Sequence, residues 1–310
     1  MINIKCVLCG SEDYKVQAKG HDRYIAVDST VFTLVKCDKC KLFYLNPQPT
    51  KEELAKYYPT SYPPFTKEVS FLNEGYFTKT LKQIKKQLTG NKKIIQSEVN
   101  QIKQTLDNSK LAVLDFGCGN GNNLVSIRSD HPNWDLYGFD IGENSEVKNI
   151  GSNITIIYDD FNKLNQSFKT DYFDLIYMNN VLEHMNDPVK ILGDLASLLK
   201  RGGKIIIEVP NIDSIKYKIF GKYFSSLDIP RHLYNFSPKT LTAVCSKNNL
   251  KIVDIKLTGS PKSTARSIYY MLGIRKQKIN SLFMYIVNKI TKVIGEKRVN
   301  DDVIIATVTK

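Results

Sequence analysis

The sequence predicts an α/β chain built on a doubly wound, mostly parallel sheet, with a small cysteine-bearing ribbon at its N-terminus. Three observations predict it. From Leu111 onward, apolar runs of strand length alternate with helix-length segments, the strands falling over 111–115, 135–140, 154–158, 173–178 and 204–209. The first of these runs ends in a loop with glycine at every second position, Gly117-Cys118-Gly119-Asn120-Gly121. Two C-x-x-C pairs, Cys6/Cys9 and Cys37/Cys40, precede all of this.

Residues 1–60 form the ribbon segment. Each C-x-x-C pair places two thiolates on one knuckle, and two knuckles complete a tetrahedral Zn²⁺ site of Cys6, Cys9, Cys37 and Cys40. Four thiolates leave no open coordination position, so the expected role is structural. Cys118 and Cys245 are not expected to be ligands. Between the pairs, Tyr24–Val27 and Val31–Val35 read as strands. Thr50 is placed to cap a short helix starting at Lys51. A Tyr- and Pro-rich loop follows. Residues 61–110 then read as a helical linker, with Phe77, Leu81, Ile84 and Leu88 on one helix. Ile95, Val99, Ile102 and Leu106 lie on a second, after a break at Thr89-Gly90-Asn91.

The loop after the first strand carries the chemistry. Glycines there let the backbone lie flat against a ligand where a Cβ would collide. A helix is expected over Asn123–Arg128, and a second strand ends in Asp140. An acid at that strand tip is placed to hold both ribose hydroxyls of an adenosine-type ligand. The third glycine of a dinucleotide fingerprint is out of register here. Asp115, at the end of the first strand, would also repel a diphosphate. A cationic, phosphate-free adenosine such as S-adenosylmethionine suits that charge better.

Residues 111–310 make up the main domain. Two closing strands are expected at 250–257 and 302–308, with a helical insert over 263–298 between them. In the insert, Leu282, Tyr285, Ile286, Lys289 and Ile290 share one broad helical face, expected to pack on the core or a second subunit. Basic residues surround it, including Arg275, Lys276, Lys278, Lys292, Lys297 and Arg298. A homodimer and weak contact with an anionic membrane surface are therefore the two partner expectations for the insert.

Composition bounds the rest. The chain has 310 residues, 42% of them apolar, enough for one large core and a small accessory module. No run approaches the ~18 apolar residues of a spanning helix, and the start has no apolar signal core. A cytoplasmic protein is expected, with the inner membrane face as a peripheral station. The formal net charge of +13 favours an anionic small-molecule acceptor. Nucleic acid is not expected, since aromatic residues do not interleave with the lysines.

The main domain resembles the class I S-adenosylmethionine-dependent methyltransferases, which have a Rossmann-like sheet. The resemblance is carried by Leu114–Gly121, Asp140, Phe173–His184 and Leu199–Lys204. It implies that Gly117 and Gly119 contact the methionine and ribose parts of the cofactor and that Asp115 lies near the methionine ammonium. It implies that Asp140 takes the ribose hydroxyls and that Asp160, or its neighbour Asp159, reaches the adenine amine. Asn179 and Asn180 would line the reactive side. The cysteine pairs followed by Leu45-Asn46-Pro47-Gln48-Pro49 resemble a narrower bacterial set with a zinc-ribbon start, linked to sugar and surface-polysaccharide biosynthesis. What this implies is O-methylation of a sugar, nucleotide sugar or glycan precursor. A hydroxyl is a poor nucleophile and benefits from a base, for which His184 and His232 are the candidates. His21 and His131 read as peripheral. The alternatives are a quinone or phenol O-methyltransferase, a sugar C-methyltransferase, a zinc-ribbon RNA methyltransferase, and a binding module without activity. Sugar C-methyltransferases usually carry a further carboxy-terminal domain, which sets that alternative back. Glu183-His184 also resembles ubiquinone-pathway O-methyltransferases, where an acid three residues earlier helps to hold a divalent metal. Asn180 stands at that position here, which weakens the expectation of Mg²⁺.

Overall fold

The computed structural model describes residues 1–59, 110–141, 146–150, 153–259, 261–274, 279–294 and 301–310. The helices expected between Phe77 and Leu106, and Arg275, Lys276, Lys278, Lys297 and Arg298, lie outside these residues.

The chain opens with β1 (Tyr14–Gly20), β2 (Phe32–Cys37) and β3 (Phe43–Leu45). Helix α1 (Lys51–Ala55) follows, and its N-terminus is a complete capping box. The Thr50 hydroxyl accepts from the Glu53 N–H, and the Glu53 carboxylate accepts from the Thr50 N–H. Tyr24–Val27 is not a strand. The Asp22 carboxylate accepts hydrogen bonds from the N–H groups of Tyr24, Ile25 and Val27, and Ala26 has a φ of 59°. A local side-chain acceptor has outcompeted the ladder there.

The main sheet uses β4 (Ala112–Phe116), β5 (Asp135–Ile141), β6 (Glu146–Asn149), β7 (Ile154–Asp159), β8 (Phe173–Asn179) and β9 (Leu199–Pro210). Between them run α2 (Asn122–Asp130), α3 (Leu164–Ser167) and α4 (Pro188–Leu198). After β9 come α5 (Ile215–Phe220), β10 (Tyr234–Asn235), α6 (Pro238–Ser246) and β11 (Lys251–Thr258). The insert supplies α7 (Pro261–Met271) and α8 (Ser281–Ile294), and β12 (Val303–Thr309) closes the chain.

Strand order in the main sheet is β11-β12-β9-β8-β4-β5-β7-β6. Strands β7, β5, β4, β8 and β9 are parallel; the edge strands and β12 are antiparallel. The chain winds outward from β4 through β5 to β7, then returns to β8 on the other side of β4. That reversal opens a crevice at the C-terminal ends of β4 and β8, where ligands of doubly wound sheets bind. Period-two burial on β4 explains why the strand sits centrally. Ala112, Leu114 and Phe116 enter one core, and Val113 enters the core on the opposite face with Leu136, Ile156 and Trp134.

The ribbon shares the first of those cores with the sheet, through Leu34, Tyr44 and Leu45. A short strand from the main domain completes it. β10 pairs with β3, Tyr234 opposite Tyr44, so the ribbon sheet runs β1-β2-β3-β10. In the insert, α8 buries Val287 and Thr291 and stacks Phe283 on Tyr269 at 4.9 Å between ring centroids. The apolar face expected to pack on the core or a second subunit does not pack on the core. Leu282, Tyr285, Ile286 and Ile290 are exposed, each by 46% or more. None of the described helices is long and apolar enough to cross a membrane.

Candidate functional site

Strand β4 delivers Asp115 to the crevice. Its side chain is 1% exposed, and neither carboxylate oxygen has a hydrogen-bond partner among the described residues. Burial, reinforced by the Asp140 charge and only weakly opposed by the nearby Asn123 side chain, pushes its pKa up to about 7. An unpartnered buried carboxylate is costly unless a cation or a proton joins it. The loop that follows turns through positive φ at Gly117, Gly119 and Gly121. A Cβ on Gly117 would collide with Val181 and one on Gly121 with Ile156, so the loop lies flat against its neighbours. Asp140, at the tip of β5, accepts from the N–H groups of Gly119 and Ile141. Burial raises its pKa, and these two hydrogen bonds oppose the rise. Tyr158 donates to the Gly119 carbonyl at 3.0 Å, pinning the loop from β7.

Asp160 lies just beyond β7. Its carboxylate caps the turn at Phe161–Lys163 through the Asn162 N–H and pairs with Lys51 at 3.0 Å. Those hydrogen bonds, the Asn162 N–H first, hold its pKa below the ordinary value. Neighbouring Asp159 pairs with Lys163 at 3.0 Å. Asn179 ends β8 and accepts from the Asn180 amide at 2.6 Å, while Asn180 turns the chain at a φ of 52°.

His184 and His232 come together, their ring centroids 4.6 Å apart. His184 Nδ1 lies 2.9 Å from the Arg231 carbonyl and 2.9 Å from the Tyr58 hydroxyl. His232 Nδ1 lies 2.9 Å from the Ser226 carbonyl. A carbonyl only accepts, so each Nδ1 carries the proton and each Nε2 keeps its lone pair. Burial lowers both pKa values, that of His184 to about 3. Both rings are therefore neutral near pH 7.

The loop carrying His232 is clamped from several directions. Arg231 is fully buried and donates to Asp22 at 2.8 Å, to Asp228 at 2.6 and 2.9 Å, and to the Tyr57 carbonyl at 3.3 Å. Leu233 donates to the Glu183 carbonyl at 2.9 Å. Nothing in the sequence pattern marked Arg231 or Tyr58, because their partners lie far away along the chain. Glu183 is fully buried, and both carboxylate oxygens are unpartnered among the described residues. Burial first, then Glu208 and Asp228, pushes its pKa up to about 8. His131 is buried. It stacks on Trp134 at 3.9 Å in the opposite core, away from the crevice.

The four ribbon thiols converge. Cys6 Sγ lies 3.4 Å from Cys40 Sγ, and Cys9 Sγ lies 3.5 Å from Cys37 Sγ. A Zn–S bond of about 2.3 Å gives a tetrahedron with S···S edges of about 3.8 Å, close to these separations and far from a disulfide. Cys118 and Cys245 are buried elsewhere and are not in this group.

Comparison with known proteins adds to this geometry. The model of a family described as "Methyltransferase domain" matches residues 86–255. A ubiquinone biosynthesis O-methyltransferase of Paraburkholderia phymatum is 24% identical over 182 residues, covering 53% of this chain and 78% of that protein. The uncharacterized protein MJ0638 of Methanocaldococcus jannaschii is 29% identical over 198 residues, covering 61% and 81%. Among solved structures, a SAM dependent methyltransferase from Archaeoglobus fulgidus is similar with a TM-score of 0.46 at 17% identity, covering 74% of this chain and 98% of that one.

Proposed function

From the premise that the chain belongs to the methyltransferase-domain family, and is an enzyme that transfers methyl groups from S-adenosylmethionine, we propose that its acceptor is a hydroxyl of a sugar, nucleotide sugar or glycan precursor. The observation that carries the hydroxyl reading is the pair of neutral histidines, rings 4.6 Å apart with His184 in the turn that follows β8, each left with an Nε2 lone pair because its Nδ1 is held by a backbone carbonyl. Such a nitrogen can take the proton of an acceptor O–H as its oxygen attacks.

In this reading Asp115, Gly117, Gly119, Asp140, Asp160 and Asn179 hold the cofactor. The unpartnered Asp115 carboxylate suits an ammonium group, and the Gly117 turn, where a Cβ would collide with Val181, keeps the loop backbone bare of side chain. Asp140 already orients the Gly119 N–H and has lone pairs left for a diol. The bound cofactor supplies a methyl group on a sulfonium, an excellent leaving group. The chain's own part is to position the acceptor and receive its proton. His184 and His232 are the candidate bases. Arg231 is a positioning residue, because its carbonyl fixes the His184 tautomer and its guanidinium fixes the loop that carries His232.

Segment 1–60 is read as a ribbon around a structural zinc held by Cys6, Cys9, Cys37 and Cys40, segment 61–110 as a helical cap, and 111–310 as the transferase domain. The net charge of +13 supports an anionic acceptor handled in the cytoplasm. The exposed apolar residues of α8, with Lys289 beside them, support weak contact with an anionic membrane surface where lipid-carried precursors are built. A second reading, a quinone or phenol acceptor, is favoured by the names of several curated relatives. Incubation with methyl-labelled S-adenosylmethionine and parallel panels of nucleotide sugars and catechols separates the two. Label in a sugar methyl ether supports the first reading, and label only in the phenols overturns it.

A further inference from the structure

We propose that the cleft between the loop after β1, the turn before His232 and helix α7 is a phosphate subsite, with Arg23 as its principal cation, which takes the phosphorylated end of the acceptor. The proposal rests on the hydroxyl-acceptor reading above and narrows it to phosphate-bearing acceptors such as nucleotide sugars. Three segments far apart in the chain line the cleft: His21, Arg23 and Tyr24 from the loop, Ser225 and Asp228 from the turn, and Tyr270 from α7. Two hydrogen bonds hold turn and helix together. The Ser225 N–H donates to Ser267 Oγ at 3.0 Å, and the Ser225 hydroxyl donates to the Ser263 carbonyl at 3.1 Å. The space between the three segments, open to solvent, is about 230 Å³. That is below the ~300–1,000 Å³ of pockets that enclose a whole drug-sized ligand, so it suits one end of an acceptor.

Arg23 singles this cleft out. Its guanidinium is half-buried and lies against the end of β1, where a Cβ added to Gly20 would come within 3.3 Å of Nη1. Nη1 donates to the Lys222 carbonyl at 3.1 Å, and the guanidinium carbon stands 5.1 Å from the Tyr223 ring centroid. Among the described residues no carboxylate pairs with it. Burial lowers its pKa, and only the neighbouring tyrosines oppose that shift. A half-buried guanidinium with no acid beside it is stabilised by an anion that accepts from its fork of donors, and phosphate oxygens match that fork.

The surrounding charges favour an anion as well. Lys222 Nζ stands 5.3 Å from the same Tyr223 ring, and the Arg266 guanidinium stands 5.5 Å from the Tyr24 ring that lines the cleft. The two nearby acids, Asp22 and Asp228, are both held by Arg231, at 2.8 and 2.6 Å. Arg231 with those two acids sums to one negative charge, which Arg23, Arg266 and Lys222 outweigh. The cleft also abuts the candidate base: Asp228, one of its walls, has Oδ2 3.9 Å from His232 Nε2. A phosphate held at Arg23 therefore sets the rest of the acceptor down beside His232, and binding energy at the phosphate helps to fix the hydroxyl against that nitrogen.

The test is calorimetry on the full-length protein saturated with S-adenosylhomocysteine, titrated with inorganic pyrophosphate and with the nucleotide sugars of the acceptor panel. Wild type should bind one pyrophosphate per chain. Arg23→Met keeps an apolar stem and removes the fork. It should weaken pyrophosphate ~10–100-fold, the worth of one or two charge-assisted hydrogen bonds, and weaken nucleotide sugars by a similar factor. Arg266→Gln should weaken pyrophosphate by less, and Lys251→Met, on the exposed strand β11, should leave it unchanged. All three variants should keep the S-adenosylmethionine affinity of wild type. Equal pyrophosphate binding by wild type, Arg23→Met and Arg266→Gln, equal weakening by Lys251→Met, or no pyrophosphate bound by wild type at millimolar concentration would overturn the subsite. Nucleotide-sugar binding that ignores Arg23→Met while pyrophosphate binding falls would overturn its assignment to the acceptor. Label appearing only in the phenols of the acceptor panel would count against the sugar reading and leave the pyrophosphate titration unaffected.

Discussion

Replacing Asp115 with asparagine tests the electrostatics of the crevice most directly. Asp115 is buried and unpartnered, and its pKa is pushed up to about 7 from an ordinary value of 3.8. The folded state therefore holds a proton that the unfolded chain has already lost between those two values. Stability falls as pH rises across that window, by ~1.4 kcal/mol per pH unit, reaching a cost of ~4 kcal/mol above pH 7. A domain is stable by only about 5–15 kcal/mol in total, so this single group matters. Asparagine has the same shape and no charge, but its amide adds donors whose burial costs ~1–3 kcal/mol. At pH 8.5 the ligand-free variant should thus be more stable than wild type by ~1–3 kcal/mol. At pH 5 it should be equal or less stable. The cofactor reverses the order, because an ammonium beside Asp115 supplies the missing countercharge; the variant should bind S-adenosylmethionine at least ~10-fold more weakly. Urea unfolding at both pH values, with and without cofactor, measures all of this. A difference between variant and wild type that is the same at pH 5 and pH 8.5 would refute the reasoning, since titrating groups that do not feel the Asp115 charge cancel in that comparison.

Other perturbations reach the remaining parts of the molecule. Asp140→Ala should weaken cofactor binding by ~1–3 kcal/mol in calorimetry, the scale of lost charge-assisted hydrogen bonds. Cys37→Ser should lose one zinc equivalent per chain relative to wild type by elemental analysis; an unchanged zinc content would remove the ribbon site. Arg231→Met leaves Asp22 and Asp228 without their cation, so urea unfolding should show a loss of ~3–5 kcal/mol, and a neutral result would mean the clamp is dispensable. Sedimentation with anionic vesicles should recover wild type in a salt-sensitive way and recover Lys289→Glu less well.

Much of the main domain was legible along the chain. The positions of β4, β5, β7, β8, β9, β11 and β12 follow from apolar runs, and the capping role of Thr50 follows from its place just before Lys51, whereas the exposed β6 and the two-residue β10 carry no such signal. Both signals are local, so both survive without knowledge of neighbours. The misreadings also have local causes. Tyr24–Val27 has the composition of a strand, but Asp22 folds it into a turn. The apolar stripe on α8 was real, but a helix with apolar residues on more than one side can bury only one, and Phe283, Val287 and Thr291 won that contact.

By itself the sequence determined the α/β class, the glycine turn that follows Asp115, the acid at the tip of β5 and the two cysteine knuckles. Each depends on backbone sterics or on side chains a few residues apart. Only the tertiary structure decided that β10 would join the ribbon, that Arg231 would reach Asp22, and that Glu183, His184 and His232 would come within 4.8 Å of one another. These are contacts between segments far apart in the chain. Their partners are selected by which apolar faces must be buried together, and no short stretch of residues carries that information.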